Sequence, residues 1–225
     1  MLSPCLAARR ITKNFSTGSI RKREKCVLSG IELLLEEGSS VGIVGKSGSG
    51  KTTLGKILAG ILEPTGGQVL YEGRDIFSLN REERRNYIQN VQMMFQNPEG
   101  ALNPMKRIER QFFDVCRLTG SASRAESAER TARALEQVGL SKEILCRLPS
   151  ELSGGQNQRV ALGRILLLDP KIIILDEPTS ALDISVQAQI LHLLKRLQHE
   201  RRLSYIFISH DPEVVDFMCD RIVSV

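Results

Sequence analysis

No two cysteines stand in a C-x-x-C arrangement, and the five present, at positions 5, 26, 116, 146 and 219, are an odd number spread along the chain. This excludes a complete disulfide framework and a zinc knuckle, and it points to a reducing compartment such as the cytosol. Long apolar runs are missing too. The longest, Ile31 to Leu35 (broken by Glu32), Ile165 to Leu168 and Ile172 to Leu175, fall far below the roughly 20 residues that span a bilayer. The first residues carry no apolar signal-peptide core, so a role at a membrane would need other subunits to hold the protein there. No repeat recurs at a fixed period. The one charge run, Arg21 to Lys25, is expected to tip a solvated loop between two N-terminal strands. A net charge of +5 favours anionic partners in general, without naming nucleic acid or membrane.

What is present is globular. The 225 residues are 41% hydrophobic and 25% charged, which suits one large domain or one domain with a subdomain. Val27 to Glu36 reads as a strand with Val27, Leu33 and Leu35 on one face, and Val41 to Val44 as a short buried strand. From Thr52, the apolar positions Leu54, Ile57, Leu58, Ile61 and Leu62 fall on one helical face, with Pro64 to Gly67 as the stop. Gln68 to Tyr71 and Val91 to Phe95 read as strands, and Asn80 with Glu83 as the capping box of a polar helix between them. Ile108 to Leu118, Ser123 to Val138 and Lys142 to Leu148 read as a helical insert. Beyond it come a helix from Ser153 through Leu168, a strand from Lys171 to Leu175 and a helix from Ile184. That last helix has Val186, Ile190, Leu193, Leu194 and Leu197 on one face. Tyr205 to Ser209 and Arg221 to Val225 read as the final strands. Strands alternating with helices predict a mostly parallel sheet covered on both faces.

Gly45-Lys46-Ser47-Gly48-Ser49-Gly50-Lys51-Thr52, followed by Thr53, fits G-x-x-x-x-G-K-[ST] between a strand and a helix. Its glycines let successive N–H groups point inward, and the helix adds its positive end, so the loop can hold a triphosphate. Lys51 is expected to reach the β and γ phosphates and Thr52 to ligate magnesium. The strand Lys171 to Leu175 runs into Asp176 and Glu177, and the carboxyl ends of strands are where ligands bind in open α/β sheets. Asp176 can hold magnesium there, and Glu177 can act as general base for an attacking water. Leu152-Ser153-Gly154-Gly155-Gln156 forms a second anion-binding helix start, which a single nucleotide does not require.

Gly45 to Thr52, Gln96, Leu152 to Gln156, Ile172 to Glu177, Ser180 to Asp183 and His210, in that order, resemble the ATP-binding subunit of an ABC transporter, over nearly the whole chain. The resemblance implies a single ABC-type domain over 1–225. Its fold would be a P-loop NTPase core with a mostly parallel sheet, an N-terminal antiparallel β portion and a helical subdomain at about 97–168. It implies an ATPase that uses ATP and Mg2+ and works in head-to-tail pairs. Ser153, Gly154, Gly155 and Gln156 would act in trans on the partner's nucleotide, with Asp183 at the dimer seam. Gln96 would sense magnesium and water, His210 would bond the γ-phosphate, and Phe15 would stack on adenine. All catalytic positions carry the family's usual residue types. His192 and His199, on a helix with no motif around them, are read as ordinary helix residues.

Met94 to Pro98 and Ala101 to Pro104 resemble the F-Q-D-P and S-L-N-P segments of oligopeptide and nickel importers, with Asn97 and Ala101 departing from the pattern. The implied partners are a second ATP-binding subunit, identical or paralogous, membrane permeases and, indirectly, an extracytoplasmic solute-binding protein, at the cytoplasmic face of the membrane. No nucleic-acid partner is expected. The rival reading is an ABC-type ATPase of repair or chromosome maintenance. It would call for long coiled coils or zinc modules between Lys51 and Ser153, where there are neither heptads nor clustered cysteines. A P-loop kinase or GTPase would have no use for Leu152 to Gln156. Many members of the family continue beyond the strand corresponding to Arg221 to Val225, where this chain stops.

Overall fold

The structure, a computed structural model, describes residues 5–17, 23–120 and 123–225. The chain divides into two compact units: Met1–Met93 with Lys171–Glu177 and Arg202–Val225, and Met94–Pro170 with Pro178–Arg201.

The first unit holds two sheets. β1 (Leu6–Thr17), β2 (Arg23–Leu35), β4 (Gly66–Tyr71) and β5 (Arg74–Asp75) form one of them, in the order β2-β1-β4-β5 with antiparallel pairing. β3 (Ser40–Val44), β6 (Val91–Met94), β7 (Ile172–Asp176), β8 (Ser204–Ile208) and β9 (Arg221–Ser224) form the other, in the order β6-β7-β8-β3-β9, with β3 parallel to β8 and β9 and β7 parallel to β8. Non-adjacent order and parallel pairing require crossovers. Those within this unit include α1 (Lys51–Leu58), α2 (Arg81–Asn90) and α7 (Pro212–Met218). β7 and β8 are buried along their whole length, as strands covered on both faces should be. Leu6, Ile11, Leu33, Leu35, Ile43, Leu54, Ile57, Ile174 and Ile208 belong to one apolar core.

Local chemistry explains where the elements stop. Asn80 and Glu83 do form the capping box of α2. α1 ends at Leu58, four residues before its apolar periodicity does. Gly60 adopts φ +70°, its N–H donates to Ile57 O, and Ile61 N–H donates to Lys56 O. That is a Schellman cap, and it leaves Ile61 exposed rather than on the buried face. In β2, Leu33 and Leu35 are buried as the alternation requires, but Leu28 is buried where Val27 was expected. The phase changes at Gly30, which has φ +66° and lies where the pairing with β1 shifts register. Arg21 and Lys22 of the charge run lie outside the described residues; Arg23, Glu24 and Lys25 are part of β2 rather than a loop tip. α7 has no apolar periodicity long enough to announce it. It starts from Asp211, whose carboxylate accepts from Glu213 and Val214 N–H, with Pro212 in the first turn.

The second unit is helical: α3 (Ile108–Leu118), α4 (Arg124–Gln137), α5 (Gly154–Leu166) and α6 (Ile184–Arg201), with short 3-10 turns including Lys142–Cys146 in place of the expected helix through Leu148. Ser123 caps α4 by accepting from Glu126 N–H. Ile108, Phe112 and Cys116 of α3 pack with Ala134 and Leu135 of α4 and Val160 of α5. The α6 stripe is buried from Ile190 to Leu197, with Val186 only partly so.

At Gly67, φ is +87° and an added Cβ would stand 2.4 Å from the Arg10 carbonyl oxygen, whereas Gly73, at φ +83°, has open space. Gly73→Ala is expected to cost about 1 kcal/mol of backbone strain and Gly67→Ala at least about 2 kcal/mol more, because the carbonyl must also move. Urea midpoints at unchanged m-value check the order, and equal shifts would contradict it.

Candidate nucleotide-binding site

β3 lies between β8 and β9, and its C-terminal end opens into Gly45–Gly50 before α1 begins. Two glycines are needed for conformation. Gly48 takes φ +77°, and Gly50, the N-cap of α1, takes φ +107° so close to β2 that an added Cβ would stand 2.9 Å from Val27 O. Lys51 is buried, 6% exposed, and its Nζ folds back over the loop to donate to Gly45 O (2.9 Å) and Lys46 O (3.0 Å). Ser49 N–H donates to Lys46 O, while the Ser49 hydroxyl is buried without a partner. Lys46, Ser47 and Gly48 are exposed and Thr53 is half-buried. This is a glycine-rich, cationic loop with an unspent hydroxyl, and its natural complement is a polyphosphate.

β7 brings the acids and β8 the histidine. β7 ends in Asp176, which is 2% exposed. Burial pushes its carboxyl above the usual aspartate range, and the Thr52 hydroxyl, donating to Oδ1 at 3.2 Å, opposes that. Glu177 follows with φ +45°, a left-handed conformation that costs a non-glycine residue about 1–2 kcal/mol. Its N–H donates to Ile208 O (2.9 Å) at the end of β8, and its Oε2 lies 3.1 Å from His210 Nδ1. The phosphate loop, both carboxylates and the histidine thus share the C-terminal edge of the parallel sheet.

A magnesium ion fits this donor set. Among the described residues no cluster of three or more His, Cys, Asp or Glu could hold a metal by itself. Thr52 and Asp176 offer two hard oxygens side by side, which suits a cation that takes its other ligands from phosphate and water.

In the second unit, Ser153 is the N-cap of α5. Its hydroxyl accepts from Gln156 N–H (3.3 Å) and the Gln156 side chain accepts from Ser153 N–H (3.0 Å). Gly155 has a packing reason beyond anion binding, since an added Cβ would stand 2.6 Å from Val186 Cγ1. Asp183 caps α6, accepting from the Ser185 hydroxyl (2.7 Å) and Val186 N–H (3.0 Å), and these bonds hold its carboxyl below the usual range. Exposed Gln96 donates from Nε2 to Ser180 Oγ at 3.5 Å. Sequence reasoning missed buried Gln158, which donates to Pro178 O and ties α5 to the residue after Glu177 in the chain. No spacing rule singles it out. Phe15 lies on β1 in the first unit, 38% exposed, with Lys13 Nζ 5.2 Å from its ring centroid.

A family model described as ABC transporter matches residues 28–180. The chain belongs to the ABC transporter family. It is an ATPase of that family, and its fold is that of the solved cassettes. It superposes with a TM-score of 0.86 on a dimeric post-hydrolysis state of the ATP-binding cassette MJ0796 bound to ADP and phosphate, at 30% identity, over 98% of this chain and 94% of that one. A putative peptide import ATP-binding protein of Brucella ovis is 39% identical over 221 residues, 98% of this chain and 69% of that protein. The dipeptide transport ATP-binding protein DppF of Escherichia coli is 42% identical over 196 residues, 87% of this chain and 59% of that protein.

Two predictions follow from this geometry. Because Asp176 is held above its unfolded pKa, its contribution to stability is full below that pKa and is lost as pH rises through the folded one. Asp176→Asn is therefore expected to raise the neutral-pH Tm of the nucleotide-free protein, by about 2–4 °C per kcal/mol, while ATP hydrolysis falls about a hundredfold or more. Calorimetry with a phosphate-release assay reads both, and a lowered Tm would contradict the burial argument. Gly155→Ala is expected to cost about 1–3 kcal/mol by crowding Val186, and adding Val186→Ala should recover part of it in a double-mutant cycle.

Proposed function

We propose that the chain is the ATP-hydrolysing subunit of an importer in the ABC transporter family, with peptides as the cargo class. The observation that carries this reading is the shared edge at the ends of β3, β7 and β8, where a phosphate loop, two carboxylates and a histidine meet. The cargo class is supported by the names of the relatives, which are peptide and dipeptide transport proteins, over the nickel alternative that the Met94–Pro104 segment left open.

On this reading, the Gly45–Gly50 amides, with Ser47 and Ser49, cradle the β and γ phosphates, and Lys51 exchanges two backbone carbonyls for phosphate oxygens. Thr52 and Asp176 would hold magnesium, which when bound supplies charge neutralisation on those phosphates. Glu177, held aside by its φ and by the bond to Ile208, takes the proton of the attacking water. His210 leaves Glu177 to hydrogen-bond the γ-phosphate. Gln96 reports on the water and magnesium, and Phe15 stacks on adenine. Ser153, Gly154, Gly155 and Gln156 complete the site of a second ATP-binding subunit, with Asp183 at the seam; dimeric cassettes among the structural relatives support pairing.

Among the described residues no helix is long and apolar enough to cross a membrane. Attachment to the cytoplasmic face is assigned to permease subunits docking on the helical subdomain, about 97–168, with an extracytoplasmic binding protein delivering cargo.

Glu177→Gln is expected to bind ATP as tightly as wild type, lose about 10²–10⁴ in hydrolysis rate and accumulate an ATP-bound dimer on size exclusion. Lys51→Ala should weaken nucleotide binding itself. Turnover of ATP by Glu177→Gln at the wild-type rate would refute the assignment of the base. Co-purification from membranes identifies the permeases and through them the cargo.

A further inference from the structure

One face of the Phe15 ring is already taken. Lys13, two residues earlier and so on the same side of β1, places Nζ 5.2 Å from the ring centroid. The same ammonium donates to Glu63 O at 2.7 Å, so it is held at both ends of its reach. Its acceptor belongs to the loop between α1 and β4, which is itself stitched to β1. Thr65 N–H donates to Thr12 O (2.8 Å), and Asn14 N–H donates to Thr65 Oγ1 (3.0 Å). That loop is the exit of the helix whose entrance is the phosphate loop.

A second tie runs through β2. Phe15 pairs with Lys25 across the β1–β2 ladder, and Val27 and Leu28, two and three residues further along β2, are what Gly50 packs against. The ring is therefore located relative to the phosphate loop through both β2 and α1. It remains more than a third exposed, with Lys13 over one face.

We infer that Lys13 is a positioning residue for the nucleotide base: its ammonium caps one face of Phe15, fixes the ring and directs stacking to the opposite face. The inference rests on the reading of Phe15 as the base platform. A cation on one face draws π density toward itself, which favours an electron-rich purine on the other. The anchor on Glu63 O keeps the cation from swinging out into solvent, where a free lysine would lose the contact to rotamer entropy.

The test compares two probes on the purified chain by calorimetry: ATP, which has a base, and inorganic tripolyphosphate, which has none. Lys13→Met keeps the stem and removes the charge. It is expected to weaken ATP binding about three- to tenfold and to leave tripolyphosphate binding as it was. Lys13→Arg, which retains a cation over the ring, should restore ATP binding, and in a Phe15→Ala background Lys13→Met should add no further loss. Wild-type ATP affinity in Lys13→Met, alongside a loss in Phe15→Ala, overturns the role of Lys13 and leaves the platform standing. Wild-type ATP affinity in Phe15→Ala overturns the platform and this inference with it. An equal loss for both probes would move the effect of Lys13 to the phosphate loop and also overturn the inference.

Discussion

The site is organised around an ammonium group with almost no access to water. Lys51 is buried, and the groups that accept its hydrogen bonds are two neutral carbonyl oxygens of the loop it belongs to. Charge in that position is expensive to desolvate unless an anion arrives. On β7, Asp176 is a buried carboxyl group whose ionisation burial disfavours, relieved in part by the Thr52 hydroxyl. Burial thus bears on both an ammonium and a carboxyl group at this edge of the sheet. A polyphosphate with its magnesium ion would satisfy both, so affinity for nucleotide is built into the stability of the first unit.

Much of the fold was legible because its signals are local. The capping box at Asn80 and Glu83 lies within four residues of sequence and behaves as its spacing implies, and the helices read from Ser123 and Ser153 start there. The misreadings share a cause. Apolar periodicity continues through Ile61 and Leu62, but Gly60 ends the helix by turning amides back onto Lys56 and Ile57, and geometry overrides pattern. The phase slip in β2 comes from the pairing register with β1, which a single strand does not encode. α7 is one short turn pair whose clearest mark is Asp211-Pro212, a cap with too little helix behind it to register as periodic.

The site divides the same way. The phosphate loop and the acidic pair closing β7 are contiguous motifs, so their residues could be named from the chain alone. The left-handed backbone of Glu177, the seat of Val186 against Gly155 and the bond from Gln158 to Pro178 join positions distant in sequence, and residue type alone does not announce them. Lys13 belongs with these: its spacing from Phe15 is visible, but its anchor on Glu63 is fifty residues away.

Gly42 has a mechanical consequence. A side chain there would run into Val215 of α7, so its absence lets that helix lie directly on β3. β3 carries the phosphate loop, and α7 follows His210 by two residues. Strand and helix therefore pack in direct contact, and only Ser209 to Asp211 separate the end of β8 from the start of α7. A larger residue at position 42 would therefore push that helix off the strand that carries the phosphate loop.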